Sequence, residues 1–227
     1  VLGVSSFSIT SLKLSQPNAI SVMDVLAIPI NMDFFSPDGQ GLSKLAKPII
    51  GFAGRLDDPR KNPDLLFQSF AQIRELGVDA SLHMTGSATP KLLMLAEIHG
   101  ISEHVRFFGR LRFDELRDFY RSLSLFLIPS EQEGLAIVGV EAMACGVPVI
   151  STKCGGPETY VQHGINGYLC EFNATEIAKF TVELLGNEEL YLNFSKTARS
   201  NVLEEYAQNT FEGKLSKHWF SLWGEEM

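Results

Sequence analysis

A chain of 227 residues, 45% of them hydrophobic and 20% charged, has the make-up of a folded globular protein with enough apolar side chains for a sizeable core. Its net charge of −8 leaves no electrostatic footprint for nucleic acid or an anionic membrane, so an anionic ligand would need a local basic site. No apolar run approaches the ~18 residues that span a bilayer, and Cys145, Cys154 and Cys170, without C-x-x-C spacing, read as reduced thiols.

The first stretch, Val1 to Phe7, has no initiator Met, basic segment or cleavage pattern. It reads as a strand with no helix partner, in a chain entered partway through a longer protein. Val22 to Ile30 reads as a second strand, and Asp33 to Gly41, with Pro37-Asp38-Gly39, as a turn-rich linker. From Pro48 onward, short apolar runs alternate with helical patterns. Strands are predicted over Pro48 to Ala53, Ala80 to Thr85, Val105 to Phe108, Leu125 to Ile128, Val147 to Ser151 and Gly167 to Glu171. Helices are predicted between them over Asn62 to Leu76, Pro90 to His99, Phe113 to Ser122 and Gly134 to Ala144; Leu65, Leu66, Phe70 and Ile73 carry the spacing well. This alternation predicts an α/β fold built on a doubly wound parallel sheet, and the unbroken apolar strands suit a sheet covered on both faces. A helical C-terminal tail follows over Ala174 to Leu185, Glu188 to Glu205 and Thr210 to Trp223. The last of these puts Phe211, Leu215, Trp219 and Leu222 on one stripe, and Trp219 and Trp223 are expected to pack against another surface.

Chemistry concentrates in loops that would leave the carboxyl ends of the strands, where doubly wound sheets bind ligands. In Gly54-Arg55-Leu56-Asp57-Asp58-Pro59-Arg60-Lys61, Arg55 and Lys61 could clamp a diphosphate, the first as a fork and the second as a point charge. Taken alone, the same loop reads as a solvated one whose cations pair with Asp57 and Asp58. Glu133 and Glu141 stand eight positions apart across a predicted loop-to-helix junction. A helix starting near Gly134 would put them ~12 Å apart along its axis and facing one cleft. The amides of Leu135, Ala136 and Ile137 would lie between, offering donors and a positive dipole to an anion. Read singly, Glu133 is equally a first-turn glutamate and Glu141 a solvated one. Glu141, however, sits among Val138, Val140, Ala142, Met143 and Ala144, where a carboxylate needs a hydrogen-bonding partner. Hydroxyls at both ends and a diphosphate between them describe a nucleotide sugar.

Thr85-Gly86-Ser87 and Gly109-Arg110-Leu111 end strands at the same edge, where they could meet the diphosphate or the base. Gly155-Gly156-Pro157-Glu158 forms another such loop, its glycines permitting close approach to a ligand. No Asp-x-Asp pair appears, no His/Cys cluster has metal spacing, and the scattered histidines support no Ser-His-Asp triad.

Gly54-Arg55-Leu56 with Lys61, Pro129-Ser130-x-x-Glu133-Gly134, the Glu133-x7-Glu141 pair with Ala142-Met143-Ala144, Gly146-x-Pro148-Val149-Ile150 and Gly155-Gly156-x-Glu158 with Asn166-Gly167 occur in this order. Together they resemble the carboxyl-terminal donor-binding domain of GT-B retaining glycosyltransferases, specifically glycosyltransferase family 4 (group 1). The resemblance covers about residues 48 to 172. Three departures stand out: Leu135-Ala136 replaces the usual Phe-Gly, Asn62 replaces a frequent Gly after the lysine, and Asn31-Met32-Asp33 lacks the Gly of the usual interdomain Pro-Asn-Gly-Val-Asp.

What the resemblance implies is a retaining enzyme of hexosyltransferase type, working by front-face substitution without metal or other cofactor. Glu133, Arg55 and Lys61 would serve the reaction. Glu141 would hold the ribose, with the amides of Leu135, Ala136 and Ile137 beside the sugar and Gly86, Arg110 and Leu111 along the rest of the nucleotide. Residues 1–47 would be the remnant of an amino-terminal domain and its linker, 48–205 the Rossmann-like nucleotide-sugar domain, and 206–227 a helix packing back on the missing domain. The chain alone would bind donor but turn over little. The acceptor, a glycan, lipid or small molecule, would lie in the absent domain, and no nucleic acid partner is implied. Location would be cytoplasmic, at the membrane face if the acceptor is lipid-linked. A non-catalytic nucleotide-sugar module and another GT-B enzyme, such as an epimerase or phosphorylase, stay open as alternatives.

Overall fold

A computed structural model describes residues 2–16 and 24–224. In chain order the elements are β1 (Leu2–Gly3), α1 (Ser6–Ser15), β2 (Asp24–Val25), β3 (Ile49–Phe52), α2 (Pro63–Glu75), β4 (Ser81–Met84), α3 (Pro90–Ile98) and β5 (Val105–Phe107). They continue with α4 (Phe113–Ser122), β6 (Leu125–Ile128), α5 (Ile137–Ala144), β7 (Val149–Thr152), β8 (Gly167–Cys170), α6 (Ala174–Leu185), α7 (Glu188–Tyr206) and α8 (Gln208–Trp223). Six strands form one parallel sheet in the order β5-β4-β3-β6-β7-β8, so the predicted doubly wound α/β fold with a helical C-terminal tail is what the chain adopts.

Local chemistry explains the element ends. Side chains of Asn62, Thr89, Asn173 and Asn187 accept from the first amides of α2, α3, α6 and α7, and Pro63 and Pro90 open α2 and α3, where a missing N–H costs nothing. Strands β6 and β7 are buried at every position, as a sheet with helices on both faces requires. In β7 the Thr152 hydroxyl donates to the Ile128 carbonyl (3.2 Å), which satisfies a polar side chain inside the sheet. Two apolar clusters result, one per face. Helix α2 packs on α6 and α3 over one, built around Leu66, Phe67, Phe70 and Ile73; α5 packs on α4 and α7 over the other, around Tyr120, Phe126, Val140 and Met143.

The amino-terminal segment departs from the sequence reading. Only Leu2–Gly3 is strand, paired in parallel with Asp24–Val25, and Ser6 and Phe7 open α1 instead. The Ser5 hydroxyl accepts from the Ser8 amide (3.1 Å) and so starts a helix at the position read as extended. Of the strand expected over Val22 to Ile30, Val22 and Met23 lie outside the described residues, Asp24–Val25 is strand, and Ile30 meets Ala207 in an isolated parallel bridge. The glycine missing from Asn31-Met32-Asp33 has no consequence, because no residue there has positive φ. The Asn31 side chain accepts from the Phe34 amide (3.0 Å), and the Arg199 guanidinium donates to the carbonyls of Met32, Phe35 and Ala144, fixing this linker to the end of α5.

Helix α8 packs on α7, and His218 Nε2 lies 3.4 Å from Asp24 Oδ2. Trp219 is 41% exposed. The side chains of Leu222 and Trp223 lie outside the described residues. Among the described residues, no helix is long and apolar enough to cross a membrane.

Candidate functional site

Strands β3 and β6 lie side by side at the middle of the sheet, and the chain winds from them toward opposite edges. The crevice above their carboxyl ends is the switch point of the fold, and the loops leaving these two strands carry Arg55, Lys61 and Glu133.

The β3–α2 loop is held by its own polar groups. The Gly54 amide donates to Thr85 Oγ1 (3.2 Å), tying the end of β3 to the end of β4. Asp58 accepts from the Arg60 amide (3.1 Å) and binds the guanidinium groups of Arg60 (2.7 Å) and Arg55 (3.2 Å), and these charges hold its carboxyl well below the usual range. One 3-10 turn, Pro59–Lys61, then delivers Lys61 to the crevice. Asn62 follows with φ 49°, a left-handed conformation that asparagine tolerates better than most residues, which explains its standing where the family often has glycine.

Glu133 is fixed from both directions. Its amide donates to the Cys154 carbonyl (2.8 Å) and its carbonyl accepts from the Gly156 amide (2.8 Å), so the β6–α5 loop pairs with the loop after β7. Lys61 Nζ donates to Glu133 Oε1 at 2.6 Å, and the buried Ser130 hydroxyl donates to the same oxygen at 2.7 Å. The two charged side chains are 17% and 11% exposed, so the pair is largely shielded from water. The Glu131 amide donates to the Arg60 carbonyl (2.7 Å), a second stitch between the two loops.

Helix α5 begins at Ile137 and not near Gly134. The bridge at Glu133 keeps the chain extended there, and Ala136 turns it with φ 57°, leaving Gly134 to Ala136 outside the helix. The ~12 Å separation of the two glutamates assumed helix from Gly134 and therefore lapses. Asn62 and Ala136 are the two non-glycine residues with positive φ among the described residues, and both occupy places where the family usually has glycine. An alanine held there costs roughly 1 kcal/mol or more, strain that the surrounding loop contacts maintain.

Glu141 lies in the second turn of α5, and the predicted partner is present: the Tyr120 hydroxyl donates to Glu141 Oε2 at 2.7 Å. Burial raises the carboxyl's pKa, and the Tyr120 hydrogen bond opposes the rise. A carboxyl raised in the fold contributes stability below the ordinary carboxylate range and loses it as pH climbs through the raised value. Relative to Glu141→Gln, the wild type should therefore lose melting temperature as pH rises above the ordinary carboxylate range. Thermal melts across that window check this, and a difference independent of pH would contradict it.

Beside the ion pair opens a cavity of about 690 Å³, lined among others by Arg55, Gly86, Arg110, Leu111, Leu116 and Val138. Of the residues singled out from sequence, Arg55, Gly86, Arg110 and Leu111 line it; Lys61, Glu133, Glu141, Leu135, Ala136 and Ile137 do not. Gly54 joins the two groups, since it lines the cavity and a Cβ on it would lie 3.5 Å from Lys61 Cε. Gly86 and Gly109 exchange backbone hydrogen bonds (2.7 and 3.1 Å), each with positive φ, which brings the ends of β4 and β5 together as the cavity's far wall. Arg55 is the weakest of the predicted contacts: its side chain is 75% exposed and leans on Asp58, as the solvated-loop alternative has it, while Asp57 plays no part in that pairing.

The Gly155-Gly156 reading needs correction. A Cβ on Gly155 would lie 2.6 Å from the Phe7 ring, and one on Gly156 2.5 Å from Leu135 Cα. The close approach these glycines permit is thus to α1 and to the Glu133 loop. Glu158 caps the same turn, accepting from the Gly155 amide (2.9 Å).

Sequence reasoning missed Tyr120 and the hydroxyls of Ser130, Thr85 and Thr152. Ser130 and Thr152 are buried polar groups that need partners; Ser130 sits inside the Pro129-Ser130 motif, and a tyrosine on the buried stripe of α4 also requires one. Among the described residues no group of three His, Cys, Asp or Glu side chains is placed to hold a metal.

A doubly wound parallel sheet with a charged crevice at its switch point is a Rossmann-like domain, and its solved structural neighbours give it the GT-B fold. Comparison with known proteins makes this specific: residues 38–201 match the family model of glycosyl transferases group 1, and the chain belongs to that family. It is 38% identical over 142 residues to N-acetyl-alpha-D-glucosaminyl L-malate synthase of Bacillus anthracis, covering 61% of this chain and 36% of that protein. It is 32% identical over 160 residues to D-inositol 3-phosphate glycosyltransferase of Mycobacterium sp. (strain JLS), covering 66% of this chain and 36% of that one. The chain thus spans little more than a third of these relatives. Among solved structures, sucrose-phosphate synthase from Thermosynechococcus elongatus superposes with TM-score 0.85 at 21% identity, over 99% of this chain and 58% of that one. Anabaena HepE, solved in complex with UDP and glucose, superposes with TM-score 0.84 at 21% identity, over 97% and 63%.

Proposed function

We propose that this chain is the donor-binding part of a retaining, family 4 glycosyltransferase that transfers a hexose from a nucleotide diphosphate to an acceptor held mainly by residues outside it. The observation that carries the reading is the Lys61–Glu133 contact, which joins the two loops of the switch point beside an open cavity bordered by Arg55 and Arg110. Residues 48–205 form the nucleotide-sugar domain, 1–47 belong to an amino-terminal domain and its linker, and 206–227 pack back on that domain.

In this reading Lys61 and Arg55 face the diphosphate, whose negative charge grows as the sugar–oxygen bond breaks. Cations fixed there stabilise the transition state more than the bound donor. Binding transfers Lys61 from Glu133 to the phosphate, or shares it, and frees Glu133 oxygens to accept from the sugar's hydroxyls. Glu141 accepts from the ribose, and Gly86, Arg110 and Leu111 line the remainder of the nucleotide. The amides of Leu135, Ala136 and Ile137 offer donors beside the sugar. The acceptor oxygen attacks the anomeric carbon on the face from which the diphosphate departs, so configuration is retained. No metal is required of these residues, because cationic side chains take up the charge. The relatives' names support sugar transfer, and the UDP bound in HepE supports a nucleoside diphosphate as the ligand class. The protein acts in the cytoplasm, at the membrane surface if its acceptor is lipid-linked, and the 227-residue chain alone binds donor with little turnover.

A thermal-shift panel of UDP-, GDP- and ADP-hexoses tests this. Ligand at a hundred times its Kd stabilises by about 2.7 kcal/mol, several degrees for a domain of this size. One nucleotide series should raise the melting temperature, with the matching nucleoside diphosphate nearly as effective. No shift with any of them at millimolar concentration would sink the reading.

A further inference from the structure

We propose that Tyr120 is a positioning residue for donor recognition: its hydroxyl holds Glu141 in the orientation that accepts from the ribose of the bound nucleotide. This rests on the role assigned to Glu141 above and adds a group on a different helix.

Tyr120 stands near the end of α4 and Glu141 in the second turn of α5, and the two helices pack together. The Tyr120 ring has no exposed surface. Phe35, Phe119 and Phe126 meet it edge-on, with centroids at 6.0, 5.8 and 5.8 Å. A ring enclosed in this way cannot swing, so its hydroxyl is a fixed point against the Glu141 carboxylate. Its proton has one recipient, Glu141 Oε2 at 2.7 Å.

Glutamate's terminal torsion is broad and nearly two-fold, so an untethered carboxylate would sample many planes. A charge-assisted bond to one oxygen removes that freedom, and it favours the ionised carboxylate, which only accepts. The tether leaves Oε1 and the second lone pair of Oε2 for a pair of adjacent hydroxyl donors. A vicinal diol such as the ribose 2′- and 3′-hydroxyls matches that arrangement. A core tyrosine with no recognition role would use the glutamate only to satisfy its own hydroxyl, and the two cases differ in how the variant treats a ligand lacking the diol.

Calorimetry on the 227-residue chain with UDP, GDP and ADP, each beside its 2′,3′-dideoxy analogue, separates them. Tyr120→Phe deletes one oxygen and keeps the ring contacts. Affinity for the best-bound ribonucleotide should fall roughly five- to tenfold while affinity for its dideoxy analogue stays within about twofold. Glu141→Ala should abolish the preference for the ribonucleotide, and adding Tyr120→Phe to it should cost nothing more. Equal losses for both ligands, or none, would overturn the inference while leaving Glu141 as the ribose contact. A Glu141→Ala variant that still prefers the ribonucleotide removes that contact and the inference together, as does a wild type that binds none of the six. Should Tyr120→Phe not fold, Glu141→Asp withdraws the carboxylate from the hydroxyl by one methylene; an undiminished ribonucleotide preference there overturns the proposal.

Discussion

Replacing Lys61 with alanine is expected to weaken nucleoside diphosphate binding at least tenfold and to lower stability by ~1–3 kcal/mol. Both effects come from one contact. Lys61 Nζ and Glu133 Oε1 are 2.6 Å apart, and the glutamate is 11% exposed, so removing the ammonium strands a carboxylate with Ser130 as its remaining side-chain donor. Water reaches the site in part, which places the cost below that of breaking a fully buried pair. Adding Glu133→Gln removes the stranded charge, so the double variant should recover much of the lost stability and none of the lost affinity. The affinity loss should be larger at low salt, where the lysine acts over the full distance to a dianionic phosphate. Calorimetry and thermal melts on the two variants check this. An unchanged affinity for Lys61→Ala would remove the diphosphate from this end of the crevice.

The contrast between what was and was not legible follows the range of the forces involved. Strand β6 and helix α4 have the predicted ends, and α6 likewise, because an apolar run or an amphipathic stripe bounded by a cap is a local property. The start of α5 is not local. The bridge from Glu133 to Gly155, 22 residues on, sets it, and no window around Gly134 contains that information. Ser6 and Phe7, read as the end of a strand, open α1 instead: Ser5 caps the helix locally, and its hydroxyl also donates to the Gly134 carbonyl, a partner from the far side of the sequence.

The site divides in the same way. Position in the loops singles out Arg55, Lys61 and Glu133, and apolar neighbours single out Glu141; the solvated-loop alternative anticipates Arg55 on Asp58, but nothing local shows that Lys61 and Glu133 touch. Departures from the family pattern were more telling than the matches. Asn62 and Ala136 replace glycines, and they are the residues whose backbone is left-handed, one at the start of α2 and the other at the start of α5. Each turns the chain immediately after a charged loop, so the strain lies where the crevice is shaped.

Gly156→Ala should be among the most damaging single-methyl changes in the protein. Its Cβ would meet the Cα, C and N of Leu135 at 2.5, 2.6 and 2.6 Å. These are backbone atoms, so no side-chain rotation relieves the clash, and the loops must separate by about 1 Å to reach ordinary contact. Separation breaks the Gly156 amide's bond to the Glu133 carbonyl, and with it the pairing that fixes Glu133. Expected are a loss of ~2–4 kcal/mol, roughly 5–15 °C in melting temperature, and a fall of at least tenfold in nucleoside diphosphate affinity. Gly164→Ala is the control: its φ is +77° but a Cβ there meets nothing within 4 Å, so conformational strain alone should cost it about 1 kcal/mol and no affinity. Equal melting temperatures for the two variants would mean that the loops adapt freely. In that case the position of Glu133 is not set by the glycine pair, and the crevice owes its shape to the Lys61 and Ser130 contacts instead.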